Sequence, residues 1–227
     1  MKLPKPLHRW TVSPTRAIRL QRELVDRVRI EPLPQPVRLV AGVDATVSID
    51  GRWLLAGVVV WDLHKSEVAE TRLARRPARF PYVPGLLSFR EIPGVLAAVR
   101  KLRVTPDVFL FDGQGRAHPR RFGLASHAGV LMDLPSVGCA KSRLYGQHQE
   151  PAIRRGSRRR LIDPSDGQTI GTVVRTRDRV KCVYVSIGHR VTLADAIRLV
   201  LGCHSGYRIP QPLRLAHQLV TAGRAHL

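Results

Sequence analysis

Four consecutive apolar residues, Val108-Phe109-Leu110-Phe111, closed by Asp112-Gly113, constrain the fold of this chain more than any other feature. The stretch Asp107 to Phe111 reads as a short strand, wholly apolar after its first residue. Such a strand has no polar face to give to solvent, so it belongs at a buried position of a parallel sheet, covered by helices on both faces.

The residues around it supply the rest of that layout. Val37 to Ile49 reads as a strand, Asp50-Gly51 as a tight turn and Arg52 to Leu63 as the hairpin partner, with Glu67 to Leu73 a third strand. A helical pattern from Thr15 to Ile30 precedes them, ended by Pro32, and a second helix from Leu86 to Leu102 follows them, closed by Thr105-Pro106. After the apolar strand come a helix from Arg121 to Met132 and a short strand from Ser136 to Ala140. A strand pair at Thr169 to Val174 and Val180 to Ile187 precedes two closing helices, Thr192 to Cys203 and Leu213 to Ala222. An antiparallel meander followed by βαβ units predicts an α/β fold with a mixed sheet and helices on both faces. That is the ribonuclease H-like layout; no GxGxxG follows the first strand, which argues against a dinucleotide-binding fold. With 227 residues, a single domain spanning 1–227 is expected, and Gln147 to Asp166 is predicted as a flexible basic loop.

Charge limits the partners. Lys and Arg number 38 against 17 Asp and Glu, a formal net charge of +21. Such an excess repels itself in a compact chain, and nucleic acid is the polyanion that explains it best. No apolar run approaches the ~20 residues of a membrane span, and the basic start from Met1 to Trp10 lacks the apolar segment of a signal peptide. Cys139, Cys182 and Cys203 are odd in number and widely spaced, which predicts buried, reduced thiols in a cytoplasmic protein. A monomer without membrane association is expected.

Two carboxylates stand in apolar company. Asp44 interrupts Leu39-Val40-Ala41-Gly42-Val43 in mid-strand, and Asp112 ends the apolar strand ahead of Gly113-Gln114-Gly115. An ionised carboxylate beside a buried strand is costly unless paired or bound to metal. Strand-ending acids followed by glycine also occupy the carboxyl edge where α/β sheets place their active sites, although an Asp there can equally cap the next segment. Glu91 lies near the start of a helix that should cover the sheet; it either joins Asp44 and Asp112 or faces solvent. Three converging carboxylates call for a divalent cation, and hard oxygen ligands select Mg²⁺ or Mn²⁺. Pro81-Tyr82-Val83-Pro84-Gly85 holds one aromatic between two prolines, suited to wedging between bases or else folded into the core beside Phe80. Lys141, after Val137-Gly138-Cys139-Ala140, could neutralise a reacting phosphate or be an ordinary surface residue.

Taken in order, several blocks of this sequence resemble the endonuclease V family. They are Gly42-Val43-Asp44, the run from Pro81 to Glu91, Asp112-Gly113-Gln114-Gly115 with His118-Pro119-Arg120-Arg121, Ala140-Lys141, Gly188-His189-Arg190 and Gly206-Tyr207-Arg208-Ile209-Pro210. The resemblance covers roughly residues 15 to 222. It implies a ribonuclease H-like endonuclease that uses Mg²⁺, with Mn²⁺ as a substitute, and cleaves DNA at the second phosphodiester 3′ to a deoxyinosine. It implies Asp44, Glu91 and Asp112 as metal ligands and catalytic carboxylates, Lys141 at the scissile phosphate and His217 near the metal. Tyr82, flanked by Pro81, Val83, Pro84 and Gly85, would be the strand-separating wedge, and Gly113, Gly138 and Ala140 would line the base pocket. His118 and Arg120 lie in a block implied to support that pocket. The dense run from Arg154 to Arg160 belongs to no family motif and leaves RNA as an alternative substrate; a catalytically inactive nucleic-acid binder would have lost one of the carboxylates or the lysine, and all are present.

Overall fold

The computed structural model describes residues 1–224, so the last three residues of the predicted span, 225–227, lie outside the described residues. Eight strands, β1 (Leu39–Val47), β2 (Trp53–Asp62), β3 (Glu67–Pro77), β4 (Val108–Phe111), β5 (Ser136–Ala140), β6 (Arg158–Ile162), β7 (Thr169–Val174) and β8 (Val183–His189), form one sheet. The order is β3-β2-β1-β4-β5-β8-β7-β6. β4 runs parallel to β1 and β5, and every other neighbouring pair is antiparallel. The meander and the two parallel insertions are those the sequence predicts.

Strand alternation divides the core between two faces. On one, Ala41, Val43, Phe109 and Phe111 meet α2 (Leu87–Arg100) and α3 (Leu124–Met132). On the other, Val40, Val108, Leu110, Val137 and Cys139 meet α4 (Leu193–Gly202) and the start of α5 (Gln211–Arg224). All four residues of β4 are buried, as a strand covered on both faces must be. Helix α1 (Pro14–Leu24) begins at Ser13, whose Oγ accepts from Arg16 N at 3.2 Å, with Pro14 supplying a preset φ at the first helical position. A 3-10 turn over Val25–Arg27 continues it where a longer helix is expected.

Two further expectations are corrected. The stretch Gln147 to Asp166 contains β6, paired to β7 through Arg158↔Val174 and bridged by Gln147↔Ile162. Only Leu161 of β6 is buried, beside Ile170 and Val173, while Arg158, Arg159 and Arg160 face solvent. An edge strand with one core residue leaves no periodic signal, and its arginines also deter pairing with another chain. The second correction is that α3 starts at Leu124 instead of Arg121. Arg121 adopts φ 51°, and a Cβ on Gly123 would stand 2.4 Å from Gln114 O, so the backbone turns sharply before the helix can begin.

Candidate active site

Register brings three strand ends together. Val43 pairs with Phe111, and Phe111 with Gly138, so the residues that follow, Asp44, Asp112 and the segment ending at Lys141, emerge side by side at the carboxyl edge of the parallel strands. Asp44 nevertheless remains inside β1, because that strand continues antiparallel to β2 as far as Val47. Lys141 Nζ lies 2.5 Å from Asp112 Oδ2. His217, on α5, donates from Nδ1 to Asp44 Oδ2 at 2.8 Å, and Asp44 Oδ1 accepts from Ala45 N at 2.8 Å. The histidine reaches this position because α5 crosses β1 at Gly42, where a Cβ would be 2.2 Å from both C and O of Pro212.

Glu91 completes the group from the second turn of α2. It keeps some solvent contact, yet burial first, then the charges of Asp44 and Asp112, raise its pKa to about 8. Burial raises Asp44 as well, opposed by the His217 hydrogen bond and reinforced by Asp112. Three neighbouring carboxylates, two of them raised in pKa, form a hard-oxygen donor set suited to a divalent cation. Among the described residues, no three His, Cys, Asp or Glu side chains already stand in a metal-holding geometry, since Lys141 and His217 take one oxygen each.

This electrostatic frustration sets a pH dependence. A carboxyl whose folded pKa of about 8 lies above its ordinary 4.5 binds a proton that the unfolded chain has released. The stability it contributes is complete below the lower value and lost as pH rises through the upper one. The metal-free protein should therefore lose several degrees of thermal midpoint between about pH 5 and about pH 9. Glu91→Gln should flatten most of that slope, and a divalent cation should restore wild-type stability at the alkaline end. Thermal melts across pH in EDTA would show it; an unaltered slope in the variant removes Glu91 from the cluster.

A cavity of about 350 Å³ opens beside the carboxylates. Asp112, Gly113, Ala140 and Lys141 form one wall, and the loop Tyr82-Val83-Pro84-Gly85 forms another. Val83 to Leu86 is a type II turn, with Pro84 second, Gly85 third at φ 77°, and Leu86 N donating to Val83 O at 2.9 Å. Gly85 O accepts from Gln21 Nε2 at 3.0 Å, His118 Nε2 at 2.9 Å and Arg120 Nη2 at 2.9 Å. Arg120 Nε also reaches Gln21 Oε1 at 2.6 Å. The loop is thus clamped at the Gly85 carbonyl, and Tyr82 at its tip is 70% exposed instead of joining Phe80 in the core. His118 donates through Nε2 and accepts Arg120 N at Nδ1, 3.0 Å away, which fixes a neutral ring. Burial lowers its pKa to about 4, in accord with that role.

Some predicted residues serve differently from expectation. Gly138 is not part of the cavity wall; a Cβ there would stand 2.5 Å from Gly115 N and 2.6 Å from Gly113 O, so it lets the Asp112 loop lie on β5. Pro81 lines a different cavity, whereas Arg120 holds the Tyr82 loop through Gly85 O. Gln21 escapes any motif reading, although its signal is present: it is the polar residue on the apolar face formed by Ala17, Leu20 and Leu24, and it is 1% exposed. Gln114 likewise ties the loop to the far wall by donating from Nε2 to Ser142 O at 2.9 Å. The three cysteines are free and buried, as predicted, and among the described residues no helix is long and apolar enough to cross a membrane.

A ribonuclease H-like sheet whose first and fourth strands deliver paired aspartates, with a glutamate and a lysine beside them, defines an enzyme of the nuclease class. Comparison with known proteins narrows this. The Endonuclease V family profile matches residues 22–218. An Endonuclease V from Nostoc punctiforme is 48% identical over 216 residues, covering 95% of this chain and 97% of its own. The crystal structure of Endonuclease V from Streptomyces avermitilis superposes with a TM-score of 0.90 at 41% identity, covering 96% of this chain and 95% of the other. That of Ciona intestinalis Endonuclease V, in complex with a 24mer DNA containing an inosine followed by a ribo-adenosine, gives 0.81 at 25% identity, over 93% and 98%. The chain belongs to the Endonuclease V family and is an endonuclease. Nucleases of this family depend on metal.

Proposed function

We propose that this protein recognises deoxyinosine in DNA and cleaves the second phosphodiester 3′ to it, as a single domain working in the cytoplasm. The observation that carries the reading is the adjacency of the carboxylate cluster to a base-sized cavity walled by the Tyr82 loop. A base taken out of the stack fits a pocket with small residues on its walls, here Gly113 and Ala140, and an exposed aromatic on a clamped loop suits the space the base leaves. The inosine-containing DNA bound by the Ciona relative supports the same substrate class.

Asp44, Glu91 and Asp112 would hold Mg²⁺, with Mn²⁺ able to replace it. When bound, the cation would lower the pKa of water and stabilise charge on a phosphodiester oxygen. Lys141, 2.5 Å from Asp112, would neutralise charge on the phosphate, and His217 would orient Asp44 through its hydrogen bond. The 38 basic residues supply the attraction to the backbone. The test is a nicking assay on matched duplexes carrying deoxyinosine or deoxyadenosine and on an inosine-containing RNA, with Mg²⁺ and with EDTA. Metal-dependent nicking of the deoxyinosine strand alone is expected. Cleavage confined to the RNA would transfer the function to inosine in RNA, and equal cleavage of both duplexes would end the inosine reading.

A further inference from the structure

The start of α2 is a partition between two cavities. Leu87 and Ser88 face the one beside Asp112, whereas Phe89 and Arg90 line a second, of about 360 Å³. Pro81 belongs to the second cavity and its neighbour Tyr82 to the first. Four arginines, Arg76, Arg79, Arg90 and Arg100, line the second cavity, and no acidic side chain does. Among the described residues none of the four forms an ion pair with a carboxylate.

Four guanidinium groups around one hollow repel each other, and an anion is the partner that relieves this. Half-buried Trp10 adds an aromatic wall to the same cavity. Guanidinium groups with an aromatic surface match a nucleotide, whose phosphate takes the charge and whose base takes the apolar contact. The position then selects which nucleotide. We propose that the second cavity receives the opposite strand of the duplex, holding the nucleotide that loses its partner when the partner enters the first cavity. This rests on the reading of the first cavity as the base pocket. The two cavities are of nearly equal volume and part company between Pro81 and Tyr82 and again between Ser88 and Phe89, so a wedge at Tyr82 that parts the strands sends one to each side. Holding the orphaned nucleotide offsets part of the cost of unpairing, which a single-stranded substrate never incurs.

The test removes Arg79 and Arg100 together (Arg79→Ser with Arg100→Ser), both exposed and neither in contact with the carboxylate cluster. A control removes the same charge from the far edge strand (Arg158→Ser with Arg159→Ser). Affinity is read by fluorescence anisotropy in EDTA, across a salt series, for an inosine duplex, the same inosine strand alone and an undamaged duplex. The Arg79/Arg100 variant should bind the inosine duplex about tenfold more weakly, with the log K against log salt slope reduced by about 1 to 2, as the loss of one or two phosphate contacts requires. Its affinity for the single strand should stay within about twofold of wild type, and the control should show no such split between the two substrates. Equal weakening on duplex and single strand would assign the cavity to the cleaved strand and overturn the proposal; no weakening on either would overturn it as well. Failure of the inosine reading is separable, since it would appear as no preference of the wild-type protein for the inosine duplex over the undamaged one.

Discussion

Asp112→Asn should abolish nicking, lowering turnover on the order of 10³-fold or more, while leaving affinity for inosine DNA within a few-fold. Asp112 is the one carboxylate that both lines the cavity and belongs to the charge cluster, and it holds Lys141 at 2.5 Å. An amide keeps the shape and can still accept from the lysine, yet it is a much poorer ligand for a hard cation. Removing one of three mutually repelling charges should also let Glu91 ionise closer to its ordinary range, so the metal-free variant should melt no earlier than wild type at alkaline pH. Single-turnover nicking, anisotropy in EDTA and thermal melts read the three effects separately. Retained Mg²⁺-dependent turnover would take Asp112 out of the metal site, and a large loss of thermal midpoint would make the residue a structural one.

Gly42→Ala is expected to be strongly destabilising. The new Cβ would lie 2.2 Å from both C and O of Pro212, backbone atoms that cannot rotate aside. The start of α5 must move, at a cost of roughly 3 kcal/mol, which lowers the melting point by roughly 6 to 12 °C in a chain of this size. Because α5 also carries His217 to Asp44, activity should fall further than stability does. Gly57→Ala is the internal comparison: its Cβ would meet Val220 Cγ1 at 2.7 Å, the end of a side chain that can turn away, so its loss should be smaller. Equal melting points for the two variants would contradict this account of the α5 seat.

The same glycine shows where sequence reading stops. Gly42 stands out in Gly42-Val43-Asp44 only through family resemblance, because its requirement comes from a helix 170 residues later that crosses its strand. Gly138 was expected in the base pocket, but the constraint upon it is the loop laid over its back. Gln21 signals itself as a polar interruption of an apolar stripe, yet its role arises from a long-range clamp on the Gly85 carbonyl. Arg158, Arg159 and Arg160 gave no strand signal, since an edge strand needs only one buried residue to be fixed in place.

What the sequence by itself determined is local and periodic. The unbroken apolar run of β4, the Asp50-Gly51 hairpin and the amphipathic helices dictate a mixed sheet covered on both faces, and carboxylates at apolar strand ends mark the functional edge. The motif from Pro81 to Gly85 likewise prescribes a stiff turn, because proline presets one φ and glycine alone accepts the positive one. Tertiary structure alone decided that Asp44 and Asp112 emerge in adjacent register, that Glu91 descends on them from α2 with its pKa raised to about 8, and that a second, arginine-lined cavity lies across the start of α2 from the first. The physical reason is that pairing register, close backbone approach and charge coupling depend on distances between segments far apart in the chain, and these are set only when the helices close on the sheet.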